Sequence, residues 1–251
     1  PIAGWGFAPA LAAGNTVVLK HATQTLLVGE RMAKAFHSAG IPTDVFQNIF
    51  LDHATTSDLI AHRAFDFVNF TGSVGGGKAM ERAAAGTFTG IGLELGGKDP
   101  AIVCADADIA QAARALAWGS MVNAGQSCQS IERCYVHRSI LEPFVKALQL
   151  EVAGLKSNFL EIDQGQIGPI IAGLQAPIVQ RHLSQALSQG AKAVVGGQVR
   201  EHQGGLWCEP TVLVNVTPEM AIMTEETFAA ILPVMPFDTE EEAVHLANSS
   251  I

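Results

Sequence analysis

The chain has 251 residues, of which 48% are hydrophobic, so it can build the core of one large or two ordinary domains. The formal net charge of −9 and the scattering of Lys and Arg along the chain exclude a general binder of nucleic acid. The 4 cysteines form no C-x₂-C pair, which disfavours a disulfide scaffold and a zinc site, and no apolar run reaches the ~18 residues of a membrane span. We therefore expect a globular, metal-free protein of the cytoplasm, with no nucleic-acid or membrane partner.

The first half of the sequence alternates between strand and helix patterns, and Lys20 follows the first strand directly. This order of elements predicts a parallel sheet with crossover helices. The predicted elements are strand 16–19, helix 26–39, strand 45–51, helix 55–62 with Thr55 or Thr56 as its cap, and strand 65–70. Ligands of open α/β sheets bind beyond the carboxyl ends of the strands, so Lys20 could reach a ribose or phosphate. A solvated lysine at a strand end is an equally good interpretation.

A glycine-rich segment, from Gly72 to Lys78, follows the strand that ends at residue 70. Glycines permit close approach of a ligand to the backbone, and a helix N-terminus attracts phosphate, so we predict a phosphate-binding turn and a helix that begins near Lys78. The segment nearly matches the P-loop pattern, but Ala79 stands where a hydroxyl group would hold Mg²⁺. A nucleoside triphosphatase is therefore a minor alternative.

Glu94 lies in a predicted strand, 91–95, between Leu93 and Leu95. We expect these leucines to shield the carboxylate partly from water, which would raise its pKa and suit a general base. Gly96 and Gly97 come next and predict a break between two lobes.

The second half of the sequence begins with a strand and a long helix that leads directly to Cys128. Its predicted elements are strand 100–104, helix 107–123, strand 134–136, helix 140–155, helix 175–189, strand 193–195, strand 211–216, strand 231–237 and helix 239–248. Trp118 and Met121, on the helix before Cys128, could line a pocket or belong to the core. Seven histidines show no metal-ligand spacing, and we interpret them as surface or loop residues: His21, His53, His62, His137, His182, His202 and His245.

Cys128 lies in the turn Gly125-Gln126-Ser127-Cys128. Most free cysteines are small buried hydrophobic residues, and taken alone Cys128 fits that interpretation. A thiol and a carboxylate such as Glu94 are, however, sufficient for two-step acyl chemistry.

Six motifs, in this order along the whole chain, resemble those of the aldehyde dehydrogenase superfamily. They are residues 9–15 with 17–20, 70–73, 93–98, 125–128, 210–213 and 225–228. The resemblance implies an α/β fold, in which a Rossmann-like parallel sheet is followed by an α/β catalytic domain. It places a partial NAD(P)-binding domain at residues 1–95 and part of the catalytic domain at residues 96–251.

The resemblance also implies a role for individual residues. Cys128 is the nucleophile that attacks an aldehyde, and Glu94 activates the water that hydrolyses the resulting thioester. NAD or NADP is the cofactor, and a small aldehyde is the substrate. The implied cofactor-binding residues are Lys20, Gly72, Ser73, Gly77, Leu95, Glu226 and Phe228. The family also implies a homo-oligomer, a dimer or a tetramer.

Three features depart from the family pattern. The family's oxyanion-hole Asn would come immediately before Pro1, and loss of such a donor costs about 10²–10³ in rate. Thr23 replaces a Glu that many NAD-preferring members carry, so we expect NADP to be tolerated. Ala229 and Ala230 replace a common Gly-Pro, which could shift the loop that carries Glu226.

Two alternatives to a hydrolytic aldehyde dehydrogenase remain. One is a CoA-acylating relative, which Glu94 disfavours because an activated water would divert the acyl group. The other is a truncated, non-catalytic nucleotide-binding fragment, which the absence of the family's Asn and oligomerisation arm favours, whereas Cys128 and Glu94 favour an active parent protein. The sequence starts at Pro1 without a Met, and we interpret it as an internal portion of a longer chain. A targeting signal would lie outside such a portion.

Overall fold

The structure is a computed structural model that describes the backbone of residues 2–250 and the side chains of residues 6–250. Its contacts divide the chain into two compact units, Pro1–Leu95 and Gly96–Ile251. In the described residues, no helix has the length and apolar character needed to cross a membrane.

The described part of the first unit, residues 2–95, contains four helices and four strands, which alternate along most of its length. In chain order they are α1 (Ile2–Ala12), β1 (Val17–Lys20), α2 (Leu26–Ser38), β2 (Phe46–Ile49), α3 (His53–Ala61), β3 (Phe67–Gly72), α4 (Val74–Ala84) and β4 (Gly90–Leu95), with a 3₁₀ turn at Thr23–Thr25 before α2. The strands form two parallel pairs, β1 with β2 and β3 with β4. The predicted parallel pairing is therefore present, in two short sheets.

Each strand pair has its own small core. Phe7, Phe36 and Phe46 pack against one another beside β1 and β2, with ring centroids 4.8–5.4 Å apart. Ile60 and Met80 are buried against the β3–β4 pair. Aromatic pairs of this geometry add to the free energy gained by burial alone.

Helix α3 begins two residues earlier than the sequence pattern predicts. The Asp52 carboxylate accepts a hydrogen bond from the backbone N–H of Thr55 at 2.7 Å. Asp52 is therefore the N-cap, and the prediction that Thr55 or Thr56 caps this helix is wrong. An aspartate side chain accepts this bond as readily as a threonine hydroxyl does. The sequence pattern therefore could not distinguish Asp52 from the two threonines as the N-cap.

In the second unit, residues 96–250 are described and contain seven strands and five helices. In chain order they are β5 (Asp99–Val103), α5 (Ile109–Met121), β6 (Ile131–His137), α6 (Leu141–Ala153), α7 (Gln175–Ser188), β7 (Lys192–Val195), β8 (Val199–His202), β9 (Gly205–Cys208), β10 (Thr211–Val214), α8 (Ala221–Thr224), β11 (Ile231–Phe237) and α9 (Glu240–Ala247), with 3₁₀ turns at Val122–Gly125 and Arg138–Ile140.

A five-stranded sheet forms the centre of this unit, in the order β5-β6-β11-β10-β7. Its first four strands are parallel, and β7 is antiparallel to β10 at the edge. Strands β8 and β9 form a separate antiparallel hairpin. Because the parallel strands end at the same edge of the sheet, the loops that follow them cluster there.

Both faces of this sheet are covered by helices, as the apolar character of its strands indicates. On β6, Cys134 and Val136 pack in the core that contains α5 and α6. Tyr135 points to the other face and packs with residues of α7, α8 and α9. The alternation of side chains along the strand therefore builds one core on each side.

Candidate active site

Cys128 lies in a strained turn between α5 and β6. After Met121 the backbone enters three consecutive left-handed residues, Asn123, Ala124 and Gly125, with φ values of 53°, 58° and 69°. The Asn123 amide holds the turn by donating to the Gln126 carbonyl oxygen at 2.8 Å. Non-glycine residues in this conformation cost of order 1–3 kcal/mol each and cluster at functional sites. The Cys128 side chain is half-buried.

The turn requires a glycine at residue 125 because a side chain there would clash with a neighbouring segment. A Cβ at residue 125 would overlap the backbone carbonyl of Ala229. The chain segment that follows Phe228 therefore packs directly against the Cys128 turn. Ala229 and Ala230 are both buried in the core of the unit.

Gln126 fixes the other side of the turn. Its amide nitrogen donates to the Pro169 carbonyl oxygen at 2.9 Å, and its amide oxygen accepts the backbone N–H of Ile171 at 2.9 Å. The Gln126 side chain therefore connects the turn to the loop that contains Pro169 and Ile171. The position of Cys128 is thus defined from both sides.

Two other cysteines of this unit, Cys134 and Cys208, differ from Cys128 in their surroundings. Cys134 and Cys208 are buried, and burial raises the pKa of the Cys208 thiol to about 12 and that of Cys134 further still. Such thiols remain protonated and inert at neutral pH.

Glu94 is exposed, so the expected shielding by Leu93 and Leu95 is wrong. Successive side chains of a strand point to opposite faces, and the two leucines therefore point away from the glutamate. Leu93 packs with the core of the β3–β4 pair, and Leu95 lies against Gly77 of α4.

Gly72, Ser73, Gly77 and Leu95 meet where β3 and β4 end. The Ser73 hydroxyl oxygen accepts the backbone N–H of Gly76 at 3.1 Å and caps α4. Gly77 is buried, and a Cβ there would lie 2.8 Å from the Leu95 side chain. Lys20 is the last residue of β1, in the other strand pair.

Helix α4 begins at Val74, so the prediction of a start near Lys78 is wrong. Gly75, Gly76 and Gly77 belong to the first turn of the helix, because the Ser73 cap nucleates it earlier. This finding argues against a P-loop, whose glycine-rich loop precedes its helix. It leaves the N-terminal N–H groups of α4 at the carboxyl end of β3, beside Gly75, where a Cβ would have the Ser73 hydroxyl oxygen as its single neighbour within 4 Å, at 3.9 Å. This arrangement fits a phosphate group.

Residues 225–228 form the second loop of interest, and a buried carboxylate holds it. Glu132 accepts the backbone N–H of Thr227 at 2.7 Å and that of Phe228 at 2.8 Å. Lys98 donates to the Glu132 carboxylate at 2.6 Å and to the Thr227 hydroxyl at 2.9 Å. The side chains of Lys98 and Glu132 are only 2% and 3% exposed.

Phe228, at the end of this loop, has a φ of 53° and is half-buried. Glu226 is also half-buried. Its burial and, to a smaller extent, the nearby Glu132 raise the pKa of its carboxyl group. Burial also lowers the pKa of Lys98, an effect that Glu132 opposes.

Helix α7 holds the outer side of the same loop. Arg181 donates to the Glu225 carboxylate at 2.6 Å, and His182 lies 3.3 Å from that carboxylate and 3.1 Å from the Thr227 hydroxyl. These two partners lower the pKa of Glu225 to about 2. His182 is fully buried, so the interpretation of the seven histidines as surface or loop residues is wrong for this one.

A groove of about 660 Å³ borders the Cys128 turn and is lined by residues of α5 and of that turn. Trp118 contributes to it and is 70% exposed, whereas Met121 is 2% exposed and belongs to the core. Ser127 and Gln129, the neighbours of Cys128, also line the groove. Among residues 2–250, no cluster of His, Cys, Asp and Glu could hold a metal ion.

Comparison with known proteins identifies the family. The aldehyde dehydrogenase family model matches residues 1–251. The chain belongs to the aldehyde dehydrogenase family. This result confirms the resemblance seen in the sequence motifs.

Three relatives illustrate the match. A 2-hydroxymuconic semialdehyde dehydrogenase of Pseudomonas putida is 36% identical over 98% of this chain and 52% of its own length. The structure of 3,6-anhydro-L-galactose dehydrogenase in complex with NAP is 35% identical, with a TM-score of 0.93 over 99% of this chain and 53% of that one. The structure of indole-3-acetaldehyde dehydrogenase complexed with NAD+ is 33% identical, with a TM-score of 0.93 over 99% and 51%. The fold class is therefore confirmed, and the chain spans about half the length of the relatives that it matches.

In this aldehyde dehydrogenase chain, the sequence patterns did not single out Glu132 or His182. A signal for Glu132 was present, because a Glu-Arg pair interrupts an otherwise apolar strand pattern at residues 131–136. Charged side chains are almost never fully buried unless they are paired. His182 gave no comparable signal, because one histidine in an amphipathic helix fits either face.

Proposed function

We propose that the protein oxidises a small aldehyde to a carboxylic acid, with Cys128 as the nucleophile and NAD or NADP as the cofactor. The observation that carries this proposal is the turn of Cys128. It combines a half-buried thiol, three left-handed residues and close packing against the segment that follows Phe228. Family membership supports the reaction class, because the matched relatives are aldehyde dehydrogenases.

Cys128 acts in its thiolate form and adds to the aldehyde carbon, which forms a C–S bond and places negative charge on the carbonyl oxygen. The backbone N–H of Cys128 is one donor for this oxyanion. The bound nicotinamide cofactor supplies the acceptor for the hydride of the aldehyde carbon. The product on the enzyme is a thioester of Cys128.

Glu94 serves as the general base in the second half of the reaction. Its carboxylate takes a proton from water, the resulting hydroxide adds to the thioester carbon, and the C–S bond breaks to return the Cys128 thiolate and release the acid. The exposure of the Glu94 side chain supports this role, because water reaches the carboxylate directly.

The residues proposed to hold the cofactor fall into two groups. In the first unit, Lys20 binds the adenosine ribose, the α4 N-terminus with Gly72, Ser73 and Gly77 binds the pyrophosphate, and the Leu95 carbonyl accepts from the nicotinamide amide. In the second unit, Glu226 and Phe228 contact the nicotinamide ribose and ring. The free N–H groups of α4 and the shaped loop at residues 225–228 support these assignments.

Substitution of Cys128 tests the nucleophile. Cys128→Ala should abolish formation of reduced nicotinamide from aldehydes, measured by absorbance in the full-length protein, while NAD+ binding by calorimetry is retained. The control is Cys104→Ala, another half-buried thiol of the same unit, which should retain activity. Turnover by Cys128→Ala would refute the assignment.

Substitution of Glu94 separates the two halves of the reaction. Glu94→Gln should leave a burst of one reduced nicotinamide per site, followed by turnover slowed about 10²–10⁴-fold, because the thioester accumulates. A product assay with and without CoA tests the CoA-acylating alternative. An acyl-CoA product in place of the acid would favour that alternative.

We also propose that the full-length protein is a homo-oligomer, as the family resemblance implies. Light scattering measures its mass in solution, and a monomer across the working concentration range would contradict this assignment.

A further inference from the structure

Glu132 is a buried charge that accepts hydrogen bonds from two backbone groups of the loop at residues 225–228 and from Lys98. It lies near the start of β6, and its side chain is 3% exposed. A buried carboxylate is costly unless donors surround it. Here three donors surround it, namely Lys98 and the backbone N–H groups of Thr227 and Phe228.

The two oxygens of this carboxylate have different partners. Oε2 accepts from Lys98 and from the N–H of Thr227, and Oε1 accepts from the N–H of Phe228. The left-handed backbone of Phe228 is thus held by a hydrogen bond to Glu132 of β6. Glu226 lies immediately before the two bonded amides, so its position is fixed by the same contacts.

The loop is also tied from two other directions. The Gln175 amide donates to the Thr227 carbonyl oxygen at 2.7 Å, and the Lys98 ammonium bridges Glu132 and the Thr227 hydroxyl. Arg133 holds Lys98 in turn, because its guanidinium donates to the Lys98 carbonyl oxygen at 2.8 Å. Among these groups, Glu132 alone contacts the backbone N–H groups of both Thr227 and Phe228, the last two residues of the loop.

We propose that Glu132 is a positioning residue for the nicotinamide half of the cofactor and that it acts through the backbone of Thr227 and Phe228. This inference rests on the proposed function, because it takes Glu226 and Phe228 as the groups that contact that half. Glu132 itself touches neither substrate nor cofactor. Its loss affects the nicotinamide half selectively and leaves the adenosine half unchanged.

Calorimetry with two ligands tests this selectivity in the full-length protein. Glu132→Gln places an amide NH₂ against one of the backbone N–H groups and removes the charge that pairs with Lys98. The dissociation constant of NAD+ should rise by about tenfold or more, as expected for a lost charged hydrogen bond. The dissociation constant of AMP, which represents only the adenosine half, should stay within about twofold. Glu151→Gln, the same change at an exposed site on α6, should alter neither constant.

A general loss of structure would have a different result. If Glu132→Gln weakened AMP and NAD+ equally, its role would be structural only and the inference would be overturned. If Glu132→Gln left both constants unchanged while Glu226→Gln weakened NAD+, the inference would also fail and the cofactor assignment would stand. If Glu226→Gln did not weaken NAD+ binding, the cofactor assignment itself would fail.

A double variant keeps the test valid if Glu132→Gln does not fold. Lys98→Gln with Glu132→Gln replaces the ion pair by two amides and leaves no buried charge unpaired. The same two dissociation constants then decide the question. A selective rise for NAD+ supports the positioning role, and an equal change for both ligands contradicts it.

Discussion

Gly96 gives the Glu226 carboxylate the space that it occupies. A Cβ at residue 96 would overlap one carboxylate oxygen and would lie 2.6 Å from the other. The backbone of Gly97 opposes the rise in the pKa of this carboxyl group. The glycine pair that the sequence suggested as a break between lobes therefore also determines where Glu226 can lie.

Gly96→Ala should displace the Glu226 side chain and raise the KM for NAD+ several-fold, with little change in the KM for the aldehyde. The clash involves the end of a flexible side chain, so the free energy of unfolding should change by less than about 1 kcal/mol. Steady-state kinetics and urea unfolding measure the two effects. Gly173→Ala is the matched control, because a Cβ there would meet no atom within 4 Å. Equal KM values for NAD+ in both variants would contradict the prediction.

The sequence patterns predicted the central strands and most helices because their apolar residues follow the periods of buried elements. The strand at 231–237 has the predicted bounds, and α7 begins at the predicted Gln175. Helix α1 was missed because Gly and Pro residues interrupt its pattern. The β8–β9 hairpin was missed because its first strand is largely polar and exposed.

The site was predicted less completely, for a physical reason. Motifs identify residues by type and order, and the predicted roles of Cys128, Ser73 and Glu226 come from them and stay predictions. The contacts in the site depend on groups brought together by folding. Glu132 and Thr227 are far apart in sequence, yet the Glu132 carboxylate lies 2.7 Å from the backbone nitrogen of Thr227. The exposure of Glu94 could not be read from its two leucine neighbours, because strand alternation separates adjacent side chains.

Arg133→Lys should destabilise the second unit by about 2–4 kcal/mol, because it leaves buried carbonyl oxygens without donors. The guanidinium donates to the carbonyl oxygens of Lys98, Leu246 and Ala247 at 2.8–3.3 Å. A lysine has one nitrogen and cannot reproduce this fork. Urea unfolding followed by tryptophan fluorescence measures the change.

The control for this variant is Arg138→Lys, the same substitution in an exposed pair with Asp238. Exposed ion pairs contribute about 0.2–1 kcal/mol, so the control should lose no more than that. Similar losses in the two variants would show that the buried hydrogen bonds of Arg133 do not stabilise the fold.

Glu225 should contribute stability that depends on pH. Arg181 and His182 lower the pKa of Glu225 from its ordinary value of 4.5 to about 2. Since the pKa is lower in the folded state, the contribution is complete above about pH 4.5 and is lost as the pH falls towards 2. The side chain is half exposed, so the contribution should be below about 1 kcal/mol.

Urea unfolding of the wild type and of Glu225→Gln between neutral pH and pH 3 measures this contribution as a difference. The difference should shrink as the pH falls below 4.5, and high salt should reduce it at neutral pH because the pair is exposed. A difference that stays constant across this range would contradict the assignment of the ion pair to Glu225.

Thr23→Glu should shift the cofactor preference away from NADP. Thr23 is exposed in the 3₁₀ turn that follows Lys20, the residue proposed to bind the adenosine ribose. A carboxylate at this position would repel a 2′-phosphate and could accept a hydrogen bond from a 2′-hydroxyl group. The ratio of kcat/KM for NADP+ to that for NAD+ should fall by about tenfold or more. Gln24→Glu adds the same charge one residue further on and should shift the ratio less. Equal shifts in the two variants would show that the charge acts at long range. An unchanged ratio in Thr23→Glu would show that the 2′-group of the adenosine ribose does not lie near residue 23.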